Sequence, residues 1–294
     1  MSELPPLPCP PAAGAEGEQF RRSSSAPDAG VHFAAVNQGG REVRLEYRRV
    51  GVADTEAPLL VFLHEGLGSA SMWKDFPARL CAAGGWRGLV YSRMGYGRST
   101  PRPRGERWRP EYMHQQAREV LPQLLAAAGI DTAAGPPWLF GHSDGASIAL
   151  IHAATFPAAV AGLVVLAPHV FVEDLSIHSI EQAKYAYADT DLRQRLARHH
   201  VDVDSAFWGW NDVWLDPAFR RWNIEALLPS IRVPVLAVQG HNDEYGTMAQ
   251  VDALATAVPW AEVLKLDDCA HSPHRDQPEA VMRATIDFIS RHRK

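Results

Sequence analysis

The sequence predicts an α/β fold in which a mostly parallel, twisted sheet carries helices on both faces and one helical segment is inserted between two late strands. Three observations predict it. Short apolar runs of strand length alternate with longer helical patterns from residue 59 onward, the mark of strand–helix–strand crossovers and therefore of parallel pairing. One interval, 169–231, breaks that alternation with helical patterns and no convincing strand. The third observation is Gly141-His142-Ser143-Asp144-Gly145, set between an apolar run ending at Phe140 and the helical run 146–150. A strand that turns straight into a helix around a serine needs glycines on both sides, where a side chain would collide with the neighbouring backbone.

Residues 1–30 are rich in Pro, Ala, Ser and Gly and lack the compact apolar core of a secretory signal, so a disordered tail is expected there. Residues 31–36 and 43–50 alternate apolar and polar positions around Asn37-Gln38-Gly39-Gly40, which predicts a hairpin and an antiparallel opening to the sheet. Strand 59–63 then precedes helix 72–83, strand 88–91 precedes helix 111–128, and strand 137–140 precedes helix 143–155. Strand 162–167 leads into the inserted interval. Beyond it come strand 233–239, helix 247–257, strand 262–266 and helix 279–292. The core is thus 31–168 with 232–294, and 169–231 reads as a helical cap with helices over 179–188 and 191–199. Right-handed crossovers bring the strand C-termini to one edge, where sites form.

A chain of 294 residues with 46% hydrophobic and 21% charged residues buries a large core. A net charge of −5 argues against a nucleic-acid surface, and no apolar run has the length of a membrane span. Neither partner is expected. Cys9, Cys81 and Cys269 are far apart and odd in number, which fits a reducing, cytoplasmic compartment, with Cys269 as a small buried hydrophobe. His241, Asp243, His271 and His274 are not read as a metal centre, because no close His pair at helical spacing precedes an acid.

The chemistry rests on Ser143. An alcohol is a poor nucleophile near neutral pH and needs a base oriented by a third group. Strand 233–239 runs into a polar loop holding Asp243, and strand 262–266 runs into a loop holding His271, so the three residues stand at strand ends in the order Ser, Asp, His. Asp267 and Asp268 also lie close enough along the chain to orient His271, but Asp243 has the strand-end placement. An oxyanion hole needs donors worth on the order of 3 kcal/mol each. The backbone N–H of Asp144 is one candidate. The turn His64-Glu65-Gly66-Leu67-Gly68-Ser69 supplies the other, with Gly66 favoured over Glu65 or Leu67.

Taken together, the elbow, the Asp243 loop, His271 and Ser92-Arg93-Met94-Gly95-Tyr96-Gly97-Arg98-Ser99 resemble the α/β-hydrolase superfamily over residues 31–293. The interval 169–231 is similar in position and size to the lid of esterases, lactonases, haloperoxidase-like enzymes and carbon–carbon hydrolases of that superfamily. The resemblance implies a Ser nucleophile, His base and Asp orienter, an acyl-enzyme on Ser143, and no cofactor. The expected substrate is a small to medium, largely apolar ester, lactone or thioester, met by Glu65, Leu67, Trp208, Trp210 and Trp214. The alternatives are carbon–carbon hydrolysis or acyl transfer by the same triad, and a non-catalytic ligand-binding module on this fold.

Three departures from the family pattern stand out. Glu65 replaces the usual glycine after the loop histidine, Asp144 is acidic beside the nucleophile, and Ser272 follows His271 where ring-cleavage hydrolases often carry tryptophan. A bare carboxylate beside a developing oxyanion raises the barrier, so Asp144 is expected to turn toward a cation such as Arg93. His142 reads as a turn-packing residue, and Arg193, Arg195, Arg198, His199 and His200 as a solvated cap face.

Overall fold

The computed structural model describes residues 30–293, so the tail expected over 1–30 lies outside the described residues except for Gly30. Among the described residues, eight strands form one sheet in the order β1-β2-β4-β3-β5-β6-β7-β8. They are β1 (His32–Gln38), β2 (Arg41–Gly51), β3 (Leu59–Leu63), β4 (Arg87–Tyr91), β5 (Trp138–His142), β6 (Gly162–Leu166), β7 (Val235–Gly240) and β8 (Glu262–Leu266). The pairs β1–β2 and β2–β4 are antiparallel, and every other pair is parallel. Gly39 and Gly40, at φ 61° and 80°, make the two-residue turn that matches strand twist in a hairpin.

The alternation read from sequence is a consequence of two-sided burial. β3, β5, β6 and β7 are buried at every position, so they read as continuous apolar runs. Val61, Leu63 and Leu139 pack into one cluster with Ile148 and Leu150, while Leu60, Phe62 and Phe140 pack into the other with Leu80 and Phe288. Helices therefore cover both faces: α1 (Phe76–Gly84), α2 (Tyr112–Gln115), α3 (Leu121–Ala127) and α4 (Asp144–Thr155) before the insertion. After it come α8 (Ala249–Ala257), α9 (Pro273–Asp276) and α10 (Pro278–His292).

Two helices of the core differ from expectation for local reasons, while in the interval 169–231 the first helix begins at Asp174 rather than 179 and a third, Val203–Trp214, is added. The helix expected from residue 72 begins at Phe76, because Lys74 adopts φ 54° and Pro77 is tolerated only in the first turn. The helix expected over 111–128 is split by a π-turn, Gln116–Val120, between α2 and α3. Pro122 has no N–H to return to the preceding turn, and the ladder widens where that bond is missing.

Between β6 and β7 lie α5 (Asp174–Asp189), α6 (Leu192–Ala197) and α7 (Val203–Trp214), followed by 3₁₀ turns Phe219–Arg221 and Glu225–Ser230. A bridge between Phe171 and Asn223 ties the two ends of this excursion. Within it, the Tyr187 and Phe207 rings stack at 3.7 Å, and Asn211 donates to the Ile180 carbonyl at 2.9 Å. Among the described residues, no helix is long and apolar enough to cross a membrane.

Candidate active site

β5 delivers Ser143 at the junction with α4, at φ 53° and ψ −119°. That region costs an L-residue about 1–3 kcal/mol and persists only where surrounding packing imposes it. Here packing does so on both sides. A Cβ on Gly145 would overlap the Leu63 carbonyl on neighbouring β3, and one on Gly141 would overlap the first turn of α4. The Ser143 N–H donates to Leu166 at the end of β6 (2.9 Å), which anchors the elbow to the sheet.

His271 and Asp243 reach Ser143 from the loops after β8 and β7. His271 Nε2 lies 2.9 Å from Ser143 Oγ, and Nδ1 lies 2.8 and 2.9 Å from the two Asp243 oxygens. Since a carboxylate only accepts, Nδ1 carries the proton and Nε2 is free to accept the hydroxyl of Ser143. Asp243 is itself fixed: its oxygens accept from Gln239 Nε2 (2.8 Å) and from the N–H groups of Tyr245 (2.8 Å) and Gly246 (3.1 Å). Asp267 faces solvent with 95% of its side chain exposed, 3.7 Å from His241, so the carboxylate on Nδ1 is that of Asp243.

Burial of the His271 ring disfavours its charged form, but the charge and hydrogen bond of Asp243, with Glu244 and Glu65 behind, outweigh it and hold the His271 pKa above the ordinary histidine value. Asp243 is held below the ordinary carboxylate range: burial opposes this, and the His271 contact and the Tyr245 N–H overcome it. His142, the last residue of β5, donates Nε2–H to the His271 carbonyl at 2.7 Å, while Nδ1 lies 3.5 Å from Glu65 Oε2. Its role in the turn is thus to hold the loop of the base.

The carboxylate of Asp144 is buried and turned away from Ser143. Tyr112 Oη donates to Oδ2 at 2.6 Å, Trp214 Nε1 donates to Oδ1 at 3.2 Å, and Arg93 Nη2 approaches Oδ2 at 3.5 Å. Arg93 is the expected cation. Its guanidinium also donates to the carbonyls of His64 (2.7 Å) and Glu65 (3.0 Å), so one buried side chain braces both Asp144 and the turn after β3. His64 completes that brace: its Nε2 accepts the Arg93 N–H at 3.1 Å and its Nδ1–H donates to Glu65 at 2.7 Å. Burial and the nearby Arg93 charge keep the His64 pKa well below the ordinary value, as a ring used in both directions requires.

Gly66 and Asp144 lie on the two elements expected to present oxyanion donors, with Gly145 packed against the carbonyls of Leu63 and His64. The Trp210 indole lies directly on Gly66, where a Cβ would overlap it. Leu67 is half-buried against the core. Trp208 packs edge-on to Tyr187 and Phe207 inside the excursion, and Trp214, 1% exposed, gives its N–H to Asp144 and Tyr112.

Tyr112 went unnoticed in the sequence, where nothing in its spacing aims it at the elbow. The signal was indirect: a buried carboxylate needs several donors, and Arg93 alone is too few. His200 corrects the solvated-face expectation. It is 5% exposed, accepts the Gly97 N–H at Nδ1 (3.0 Å) and donates from Nε2 to the Leu67 carbonyl (3.1 Å). Arg193 and Arg198 do face solvent, Arg195 is half-exposed, and His199 is half-buried with its Nδ1 at 2.9 Å from Ser71 Oγ.

A model of the alpha/beta hydrolase family matches residues 60–284. The chain belongs to this family of enzymes. Curated relatives include a mouse sn-1-specific diacylglycerol lipase, 24% identical over 88% of this chain and 92% of that one. A 2-succinyl-6-hydroxy-2,4-cyclohexadiene-1-carboxylate synthase from Enterobacter sp. is 26% identical over 72% of each. Among solved structures, the enol-lactonase of Burkholderia xenovorans superposes with a TM-score of 0.68 at 20% identity, covering 88% of this chain and all of that one (100%). A Thermogutta terrifontis esterase gives 0.66 at 20% identity, over 90% of this chain and 100% of its own.

Proposed function

We propose that the protein is a serine hydrolase that cleaves carboxylic esters, lactones or thioesters of small to medium, largely apolar substrates through an acyl-enzyme on Ser143. The observation that carries this reading is the unbroken hydrogen-bond chain Asp243–His271–Ser143, with each proton assigned by its acceptor. Ser143 Oγ attacks the substrate carbonyl while its proton passes to His271 Nε2. Asp243 holds the ring in the tautomer that accepts it and stabilises the imidazolium. The negative oxygen of the tetrahedral intermediate is bound by the N–H groups of Asp144 and Gly66, and the positive end of α4 adds to the first of these. His271 then returns the proton to the leaving oxygen or sulfur. Water attacks the acyl-enzyme by the same route in reverse, releasing the acid and restoring Ser143. Every step is carried by this chain's own groups, without metal or cofactor.

In this reading residues 169–231 act as a cap over the site, and Leu67 and Trp210 supply apolar surface beside the acyl carbon. The synthase among the relatives keeps non-hydrolytic chemistry within the family's range, but a triad with a free nucleophile favours acyl transfer to water. A turnover panel of p-nitrophenyl esters of increasing chain length, lactones and acyl thioesters tests the substrate class. Hydrolysis of at least one class, lost in Ser143→Ala, is expected. Turnover persisting in Ser143→Ala would refute the mechanism.

A further inference from the structure

Three side chains of the cap touch the acyl-stabilising side of the site, each at a different point. Trp214 holds the Asp144 carboxylate, the Trp210 indole covers Gly66, and His200 grips two loops at once. The last contact is the most constrained. His200 sits between α6 and α7, and the next residue, Val201, donates its N–H to the Gly97 carbonyl at 2.9 Å while Gly97 donates its own N–H to His200 Nδ1. Gly97 adopts φ 57° and has no room for a Cβ beside Ser92 and Glu46, so the loop after β4 that receives this clamp is closely packed against the core. With Nδ1 accepting, Nε2 must carry the proton, and it donates to Leu67 in the turn after β3. Burial, the larger cause, and the neighbouring His199 hold the His200 pKa at about 4 despite the opposing bond to Leu67, so this neutral tautomer is the form present near neutral pH. His199 adds a second tie to the same region, 2.9 Å from Ser71 Oγ.

We propose that His200 is a positioning residue through which the cap sets the turn Glu65–Ser69, so that the second oxyanion donor is in place only when the cap is seated on the core. This rests on the serine-hydrolase reading, and it assigns the cap a part in stabilising the intermediate besides covering the site. Arg93 and His64 hold the turn only at His64 and Glu65, so removing the Leu67 bond loosens its part from Gly66 onward and leaves the bonds among Asp243, His271 and Ser143 in place. The predicted loss therefore falls on kcat and on the acylation rate, with KM little changed, since the ground-state carbonyl oxygen gains far less from the hole than the oxyanion does.

The two amide replacements separate the two bonds. Asn in place of His200 keeps an acceptor for Gly97 and loses the donor to Leu67; Gln reaches the Nε2 position and restores that donor. For His200→Asn, hydrogen–deuterium exchange of the full chain is expected to show faster exchange over residues 64–70 with unchanged exchange over 240–246. Kcat for the best ester falls about tenfold with KM within about twofold, the partial loss of an oxyanion donor, and His200→Gln recovers most of it. Unchanged exchange over 64–70 in a folded His200→Asn would overturn the positioning role even in a protein with no esterase activity, which keeps its failure distinct from that of the hydrolase reading. Equal losses in the Asn and Gln variants, or a rise in KM alone, would also overturn it. Should His200→Asn fail to fold, His200→Met, which offers neither bond, is read against the Gln variant: a looser 64–70 turn and a lower kcat in Met than in Gln support the role, and equal values in the two refute it.

Discussion

The two sides of Ser143 are built differently. On the base side, the hydrogen bonds to the triad residues come from the core, from Gln239 within β7, the loops after β7 and β8, and His142 at the end of β5, while the excursion adds the His169 ring against His271 and the Ser176 and Ser179 hydroxyls on the Tyr245 and Glu244 carbonyls. On the side of Asp144 and Gly66, the core supplies Arg93 and Tyr112, and the excursion between β6 and β7 supplies Trp214, Trp210 and His200. The triad side chains draw their hydrogen bonds from the core, whereas the anion-stabilising side draws buried hydrogen bonds from the excursion as well, so loosening the Trp214 and His200 contacts is expected to fall mainly on anion stabilisation.

The largest expected effect is on the base side. Asp243→Asn leaves the loop in place but no longer compels a proton on Nδ1, and kcat is expected to fall about 10⁴-fold with little change in thermal stability. A loss under tenfold would move the orienting role to another carboxylate, with Asp267 and Asp268 the residues to replace next.

Asp144→Ala comes next and strikes the other side. It leaves Arg93 buried with only carbonyl partners, and breaking a buried ion pair costs about 3–5 kcal/mol. A fall in denaturation free energy of that order is expected, together with reduced turnover. Burial drives the Asp144 pKa up, partly opposed by Arg93, Tyr112 and Trp214, so the pairing weakens if the group protonates. If Asp144→Asn turned over faster at unchanged stability, the carboxylate would be a burden to the site and its donors incidental.

The pH profile sharpens the comparison further. Catalysis needs His271 neutral, and its pKa is raised, so kcat/KM is expected to rise with pH along a limb centred above the ordinary histidine value and to be lost below it. Removing the charge of Asp243 removes the largest factor raising that pKa, and the residual activity of Asp243→Asn should show the limb displaced to lower pH. An unmoved limb would mean that another group controls it. The smallest effect belongs to the outer face of the excursion: Arg193→Ala breaks an ion pair with Asp204 whose two side chains are both half-exposed, and neither kcat nor melting temperature is expected to change measurably.

The fold and the base side were legible in the sequence because both follow from local rules. Strands buried on two faces write themselves as apolar runs, and chain order at successive strand ends places Ser143, Asp243 and His271. The need for a cation at Asp144 was equally readable, since burying a charge beside an oxyanion demands one. Tyr112, Trp214 and His200 were not legible. Each acts across an interface between elements distant in sequence, and a tryptophan on a helix or a histidine in a loop has the same local pattern whether its N–H is spent on a core carboxylate, on a carbonyl, or on solvent. The helix breaks at Lys74 and before Pro122 shifted element ends without moving any of these residues.

The central claim is that Ser143 is a nucleophile activated by His271. Labelling by a fluorophosphonate probe, located by mass spectrometry of the digested protein, tests it most directly. One adduct on Ser143 is predicted, absent in Ser143→Ala and strongly reduced in His271→Ala; a folded protein that takes no label, or takes it elsewhere, would contradict the account.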